Sequence, residues 1–216
     1  MLYIFRGFPK RKIPGYILAQ ILGAFIAALI AYGVYRVDIV EYSGTATPSP
    51  TGAIADSFVT DLRFEWVTPA TGFFNEFVAT AFLAIAVLAL GDDENAPPGA
   101  GMNALIVGFV ITALSFAFAY NTGAALNPSR DIGPRFALLA LGFGGELFKN
   151  GWWAYGPWAA TISGAIVGAA AYDVCIFTGG ESPINYPRNN IKRSGHKFKR
   201  RLVKRLKGLE IENELR

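Results

Sequence analysis

Residues 121–136 read NTGAALNPSRDIGPRF and place an amide (Asn127), two guanidiniums (Arg130 and Arg135) and a carboxylate (Asp131) on one short, proline-interrupted stretch between two long uncharged apolar runs. These groups form no nucleophile–base or metal-ligand set; what they offer is hydrogen-bond donors and charge at membrane depth. Pro128 has no N–H to lose and suits a first helical position, and Asn127 before it is a good N-cap. A half-helix starting here points its positive dipole end and the Asn127 amide into a lumen, where a polar solute shedding water finds an oriented donor. Arg130 costs roughly 2.5 to 3.5 kcal/mol at the centre of a lipid-facing helix, so it is expected to face the conduit. Asp131 and Arg135, at i and i+4, are expected to pair and lessen the cost of both.

The elements that must position these groups are apolar helices. Four runs, 13–35, 73–90, 102–120 and 152–177, are long enough to cross about 30 Å of hydrocarbon at about 1.5 Å per residue. The polar stretch is neither a soluble loop nor a full span and reads as a segment that enters the bilayer and turns back, which is tolerated only inside protein or along a water-filled cavity. The fold class is therefore all-α membrane protein. No secretory signal is evident, because the first run follows Arg6, Lys10, Arg11 and Lys12, lacks a small-residue cleavage site and has the length of a span. Cys175 is the single cysteine and excludes a disulfide framework. With the sole histidine, His196, in the tail, no metal and no cofactor is expected, and an enzyme is the weakest class.

Charge sets the expected orientation. Basic clusters flank the four spans at both ends, so both termini are expected in the cytoplasm and the 36–72 connection outside, although the short 91–101 turn is acidic. The net charge of +4 comes largely from residues 188–216, where Phe198, Leu202, Val203, Leu206 and Leu209 recur among Lys and Arg at near-helical spacing. A basic amphipathic helix on an anionic leaflet and a solvated topology signal both explain the pattern, and no nucleic-acid partner is expected.

NPSRDIGPR resembles the second Asn-Pro-Ala box of the major intrinsic proteins, with Ser129 in the alanine position. Asp131, the basic Arg135 and Pro157 are similar to the marks of that family's glycerol-conducting branch, the aquaglyceroporins, although Trp158 beside the proline is bulkier than an aliphatic residue. The resemblance runs to about Pro187 and implies a partial aquaporin-like bundle of four transmembrane helices and one re-entrant half-helix over 1–187, followed by a basic cytoplasmic tail over 188–216. Glu76 is similar to the family's buried glutamate, whose carboxylate accepts hydrogen bonds from re-entrant backbone; a carboxylate snorkelling at the end of its span is the other reading. Gln20 either does the same work for the other half or bonds helix to helix. The resemblance implies a filter of Arg130, Ala124 and Ser115, wide enough for glycerol, other small neutral solutes and water. Gly108, Gly164 and Gly168 are expected to be close-packing sites, and Phe116, Phe118 and Tyr120 to face lipid or the interface.

The family pairs two inverted halves, each with three spans and a half-helix. This sequence resembles the third to sixth spans, with the first box and two spans missing; the expectation is an N-terminally truncated chain, either a fragment or a real truncated product. A passive channel for glycerol and small polyols is then the leading function, inactive as the chain alone; a non-conducting membrane protein or assembly partner is the alternative. The implied partners are the lipid bilayer and either a homotetramer of the completed protein or full-length homologues, with the plasma membrane as the implied location.

Overall fold

The computed structural model describes residues 1–46, 53–99, 101–179 and 182–185, and the proposed tail lies outside them. Their regular structure is entirely helical. In chain order the elements are α1 (Leu2–Arg6), α2 (Ile13–Ser43), α3 (Ala53–Phe58), α4 (Pro69–Leu90), α5 (Met102–Thr122), α6 (Pro128–Ala140) and α7 (Trp152–Cys175). Helices α2, α4, α5 and α7 are each long and apolar enough to cross a membrane.

Local chemistry explains most boundaries. Helix α4 begins where Pro69 follows Thr68, whose hydroxyl accepts from the Thr71 N–H at 3.2 Å. Helix α5 ends at Gly123 in the left-handed region (φ 92°). Helix α2 outruns its apolar run, passing Arg36, Asp38 and Glu41, until Gly44 at φ 72° caps it by donating to the Val40 carbonyl. Charged residues at the end of a span do not break a helix when the chain is leaving hydrocarbon. The connection to α4 contains the short helix α3, which periodicity did not disclose.

Two tight helix pairs hold the bundle. Helix α7 lies along α4, with Gly164 and Gly168 so close to the Phe77 and Ala81 backbone that a Cβ at either position would collide, as expected for close-packing sites. Helix α6 lies along α2 in the same manner: a Cβ on Gly133 would sit 2.6 Å from Ala24 Cβ and 2.8 Å from the Ile21 carbonyl oxygen. Gly108 corrects its expectation, since open space surrounds it among the described residues. Helix α5 packs on α4 alone among the stronger helix contacts, leaving Phe116 87 % exposed and Tyr120 exposed, while Phe118 is partly buried against Ala79, Ala124 and Leu126.

After one short α-helical stretch, helix α7 contains a π-helical turn, Tyr155–Ala160, around Pro157. Proline lacks the N–H for a regular helical bond, and the Thr161 hydroxyl donates to the Pro157 carbonyl. At the other end of α7, buried Asp173 accepts both Arg6 guanidinium nitrogens, at 2.7 and 3.3 Å, and Arg6 also lies 4.1 Å from the Phe177 ring centre. That pair ties α1 to the last span.

Candidate functional site

The approach to α6 is a backbone in an unusual conformation. Gly123, Ala124 and Leu126 all have positive φ, at 92°, 53° and 57°, so that after Gly123 donates to the Ala119 carbonyl the N–H groups of Ala125 and Leu126 lie outside any helix ladder. Glu76, on α4, meets them. One carboxylate oxygen accepts from the Thr122 hydroxyl at 2.6 Å, both accept from the Ala125 N–H at 2.9 Å, and the second accepts from the Leu126 N–H at 3.1 Å. Glu76 is 0 % exposed, so the snorkelling reading fails: its carboxylate is the acceptor that makes the re-entrant backbone affordable in a dry environment.

That approach delivers Asn127 to the start of α6. Its side-chain oxygen caps the helix by accepting from the Ser129 N–H at 3.0 Å, while its amide nitrogen donates to Gln20 Oε1 on α2 at 3.2 Å. Gln20 therefore bonds helix to helix and holds the same box that Glu76 supports. Both Asn127 and Gln20 are exposed, and both line two grooves that meet at them. One groove, of about 470 Å³, runs past Gly23, Ala27, Ser129 and Arg130 to Ser57 and Phe58. The other, of about 590 Å³, runs past Ile17, Tyr16 and Phe8 to Leu2. Arg130, half-buried on the wall of the first groove, donates to the Phe58 carbonyl at 3.2 Å.

Asp131 and Arg135 point the other way, into the protein. Arg135 Nε lies 2.6 Å from Asp131 Oδ2, and both residues are buried. The other carboxylate oxygen accepts from the Thr60 N–H and hydroxyl, each at 2.7 Å, and Arg135 donates onward to the carbonyls of Thr60 and Leu147. Trp152 Nε1 donates to the Thr60 hydroxyl at 3.1 Å. The pair thus pins the 59–63 loop, the 145–148 turn and the start of α7 onto α6. Because α3 precedes that loop, the network also sets where the Phe58 carbonyl meets Arg130.

The structure brings Asn127, Pro128, Ser129, Arg130 and Gln20 together at the head of α6. Ala124 is buried beside Ala79 and Leu126, and Ser115 is half-buried on α5; neither lines the groove of Arg130. Thr60 and Phe58 went unnoticed in the sequence. A threonine in a loop carries no signal until the fold places it beside a buried ion pair, and a backbone carbonyl carries none at all.

The model of the family described as major intrinsic protein matches residues 1–172. The chain belongs to the major intrinsic protein family. Among similar proteins, an aquaglyceroporin-4 of Botryotinia fuckeliana is 60 % identical over 97 % of this chain and 29 % of its own length. A probable aquaglyceroporin-4 of Gibberella zeae is 46 % identical over 86 % of this chain and 33 % of its own. An aquaglycerol porin of Saccharomyces cerevisiae is 45 % identical over 86 % and 29 %. The chain thus spans about a third or less of the length of these curated relatives. The X-ray structure of the aquaglyceroporin from Plasmodium falciparum superposes with a TM-score of 0.68 at 29 % identity, covering 81 % of this chain and 69 % of that one. This major intrinsic protein is accordingly a multi-pass integral membrane protein with an aquaporin-like bundle, of a family of transport channels rather than enzymes.

Proposed function

We propose that the chain contributes a passive conduit for glycerol and other small polyols, with water, in which Asn127, Ser129 and Arg130 lie on the solute path and Glu76, Gln20, Asp131 and Arg135 hold them. The observation that carries this reading is the junction of two grooves at the exposed Asn127 amide, with a guanidinium on the wall of one of them. A solute hydroxyl there meets an amide and a cation while the walls, Gly23, Ala24, Ala27 and Ala31, remain small and apolar. That combination suits a neutral amphiphile such as a polyol. The aquaglyceroporin names of the relatives, and the Asp131, Arg135 and Pro157 marks, support glycerol as the solute. Ala124 and Ser115 lie off the groove of Arg130, and its width is set by Gly23, Ala24, Ala27 and Ala31 instead. On this reading both termini lie in the cytoplasm of a plasma-membrane protein, and the working form is a tetramer or an assembly with full-length homologues.

A second reading, a chain that conducts only in assembly, is favoured by how open the grooves are. Asn127 and Gln20 are exposed, and α5 buries none of its apolar window among the described residues. Residues 1–216 alone are therefore expected to insert in membranes without facilitated flux, and flux is expected on co-expression with a complete homologue or the complementary half. Osmotic-step uptake in proteoliposomes tests both readings. Glycerol uptake faster than in empty vesicles, altered in solute preference or ion leak by Arg130→Ala, is the expected result for the assembly. Unchanged permeability to water, glycerol and ions in Arg130→Ala would refute the placement of Arg130 on the path.

A further inference from the structure

The four arginines that are at least partly buried among the described residues fall into two groups. Arg6 and Arg135 are neutralised, each by a buried aspartate: Asp173 at 2.7 Å and Asp131 at 2.6 Å. Arg130 and Arg63 have no carboxylate at ion-pairing distance among the described residues. Both are held instead by backbone carbonyls at the end of the same short helix, α3: Arg63 Nη2 donates to the Asp56 carbonyl at 2.8 Å, and Arg130 Nη1 to the Phe58 carbonyl at 3.2 Å. A carbonyl at a helix C-terminus orients a guanidinium through its partial negative charge and leaves the full positive charge in place. The two cations are thus anchored two residues apart on one turn of α3.

Arg63 is also fixed against the re-entrant approach. The chain before and at Arg63 runs alongside the end of α5, with Asp61 N–H donating to the Thr122 carbonyl at 3.2 Å and Arg63 N–H to the Asn121 carbonyl at 3.0 Å. Its guanidinium lies over Gly123, where a Cβ would come within 2.9 Å of Nη2. Gly123 thus serves two ends: its φ of 92° lets the chain turn, and its missing side chain lets the Arg63 guanidinium pack against the backbone that leads to Asn127. Of the nearby acids, Asp56 lies within electrostatic reach of Arg63 but forms no ion pair with it among the described residues. The Asp61 carboxylate is engaged by the Asn150 amide at 2.8 and 2.9 Å and by the Leu62 N–H at 2.8 Å, and the Glu65 side chain is exposed. Arg63 Nε is buried without an acceptor, and among the described residues the guanidinium's one hydrogen bond is that to the Asp56 carbonyl.

We propose that Arg63 is a second specificity-determining cation of the conduit, forming with Arg130 a positively charged outer entry that repels cations and offers N–H donors to the hydroxyls of a neutral polyol. The proposal rests on the conduction reading above. Its test therefore compares Arg63→Gln, Arg63→Lys and Arg130→Ala in the same transporting membranes, with sodium leak and glycerol uptake recorded as separate signals. Arg63→Gln is expected to raise sodium leak relative to glycerol uptake about ten-fold, equivalent to about 1.4 kcal/mol, and Arg63→Lys to restore most of the barrier because it returns the charge. An unchanged ratio in Arg63→Gln, alongside a changed one in Arg130→Ala, would overturn the role of Arg63 and leave conduction standing. No effect from either variant would overturn both. A second measurement needs no flux. In a Cys175→Ser background, the thiol introduced by Arg63→Cys should react from the outer side with a small cationic thiol reagent, faster when Arg130→Ala is added and slower in concentrated glycerol. Failure to react from that side would overturn the placement of Arg63 in the entry.

Discussion

Removing the Glu76 carboxylate is the sharpest test of how the box is held. Glu76→Ala leaves three donors, the Thr122 hydroxyl and the Ala125 and Leu126 N–H groups, without their acceptor. Each unsatisfied buried donor costs about 1–3 kcal/mol, so the sum is about 3–9 kcal/mol, before any cavity is counted. A typical domain has about 5–15 kcal/mol of stability in all. The re-entrant approach is therefore expected to unfold locally or take the bundle with it. Glu76→Gln should be milder for a geometric reason. Its amide can turn so that oxygen still accepts from the two backbone N–H groups while nitrogen donates to the Thr122 hydroxyl oxygen, which reverses one bond and removes the charge assistance, at about 1 kcal/mol for each of the three donors. The loss is then about 3 kcal/mol. Denaturant titration in mixed micelles measures both losses, and hydrogen exchange at the Ala125 and Leu126 amides localises them. If Glu76→Ala lay within about 1 kcal/mol of the parent with those amides still protected, the carboxylate would not be what holds this backbone.

Three further outcomes follow from the same packing. Gly133→Leu, which drives a side chain into Ala24 and the Ile21 carbonyl, should cost about 3 kcal/mol or prevent folding, and thermal melting in detergent will show it. Arg135→Met should cost about 3–5 kcal/mol by stranding Asp131, whereas the double change with Asp131→Leu should cost less than the sum of the two singles, as a double-mutant cycle will record. Burial raises the pKa of Asp61 above its ordinary value, against the opposing Leu62, Arg135 and Asn150 contributions. The folded state thus holds that proton more tightly than the unfolded one, and stability from this group grows as pH falls through the raised value. Asp61→Asn should therefore equal or exceed the parent at neutral pH, with the advantage shrinking in mild acid; melting temperatures at the two pH values decide it.

Much of the bundle was legible without coordinates, for reasons that act locally along the chain. Hydrocarbon thickness demands long apolar runs, and four are present near the helices α2, α4, α5 and α7. An asparagine before a proline suits the start of a helix by local chemistry alone, so α6 was readable from Asn127 and Pro128, and an i,i+4 spacing brings Asp131 and Arg135 together on any helix. What those groups touch beyond their own helix was decided by tertiary structure. Gln20 bonds Asn127 only because α6 packs on α2 through Gly133. The Asp131–Arg135 pair grips Thr60, and the α3 carbonyls hold Arg130 and Arg63, only because the connection before α4 folds back across the half-helix. Loop carbonyls and threonine hydroxyls look alike in every sequence, since their value as partners depends on distance and burial, and these arise from contacts between segments far apart in the chain.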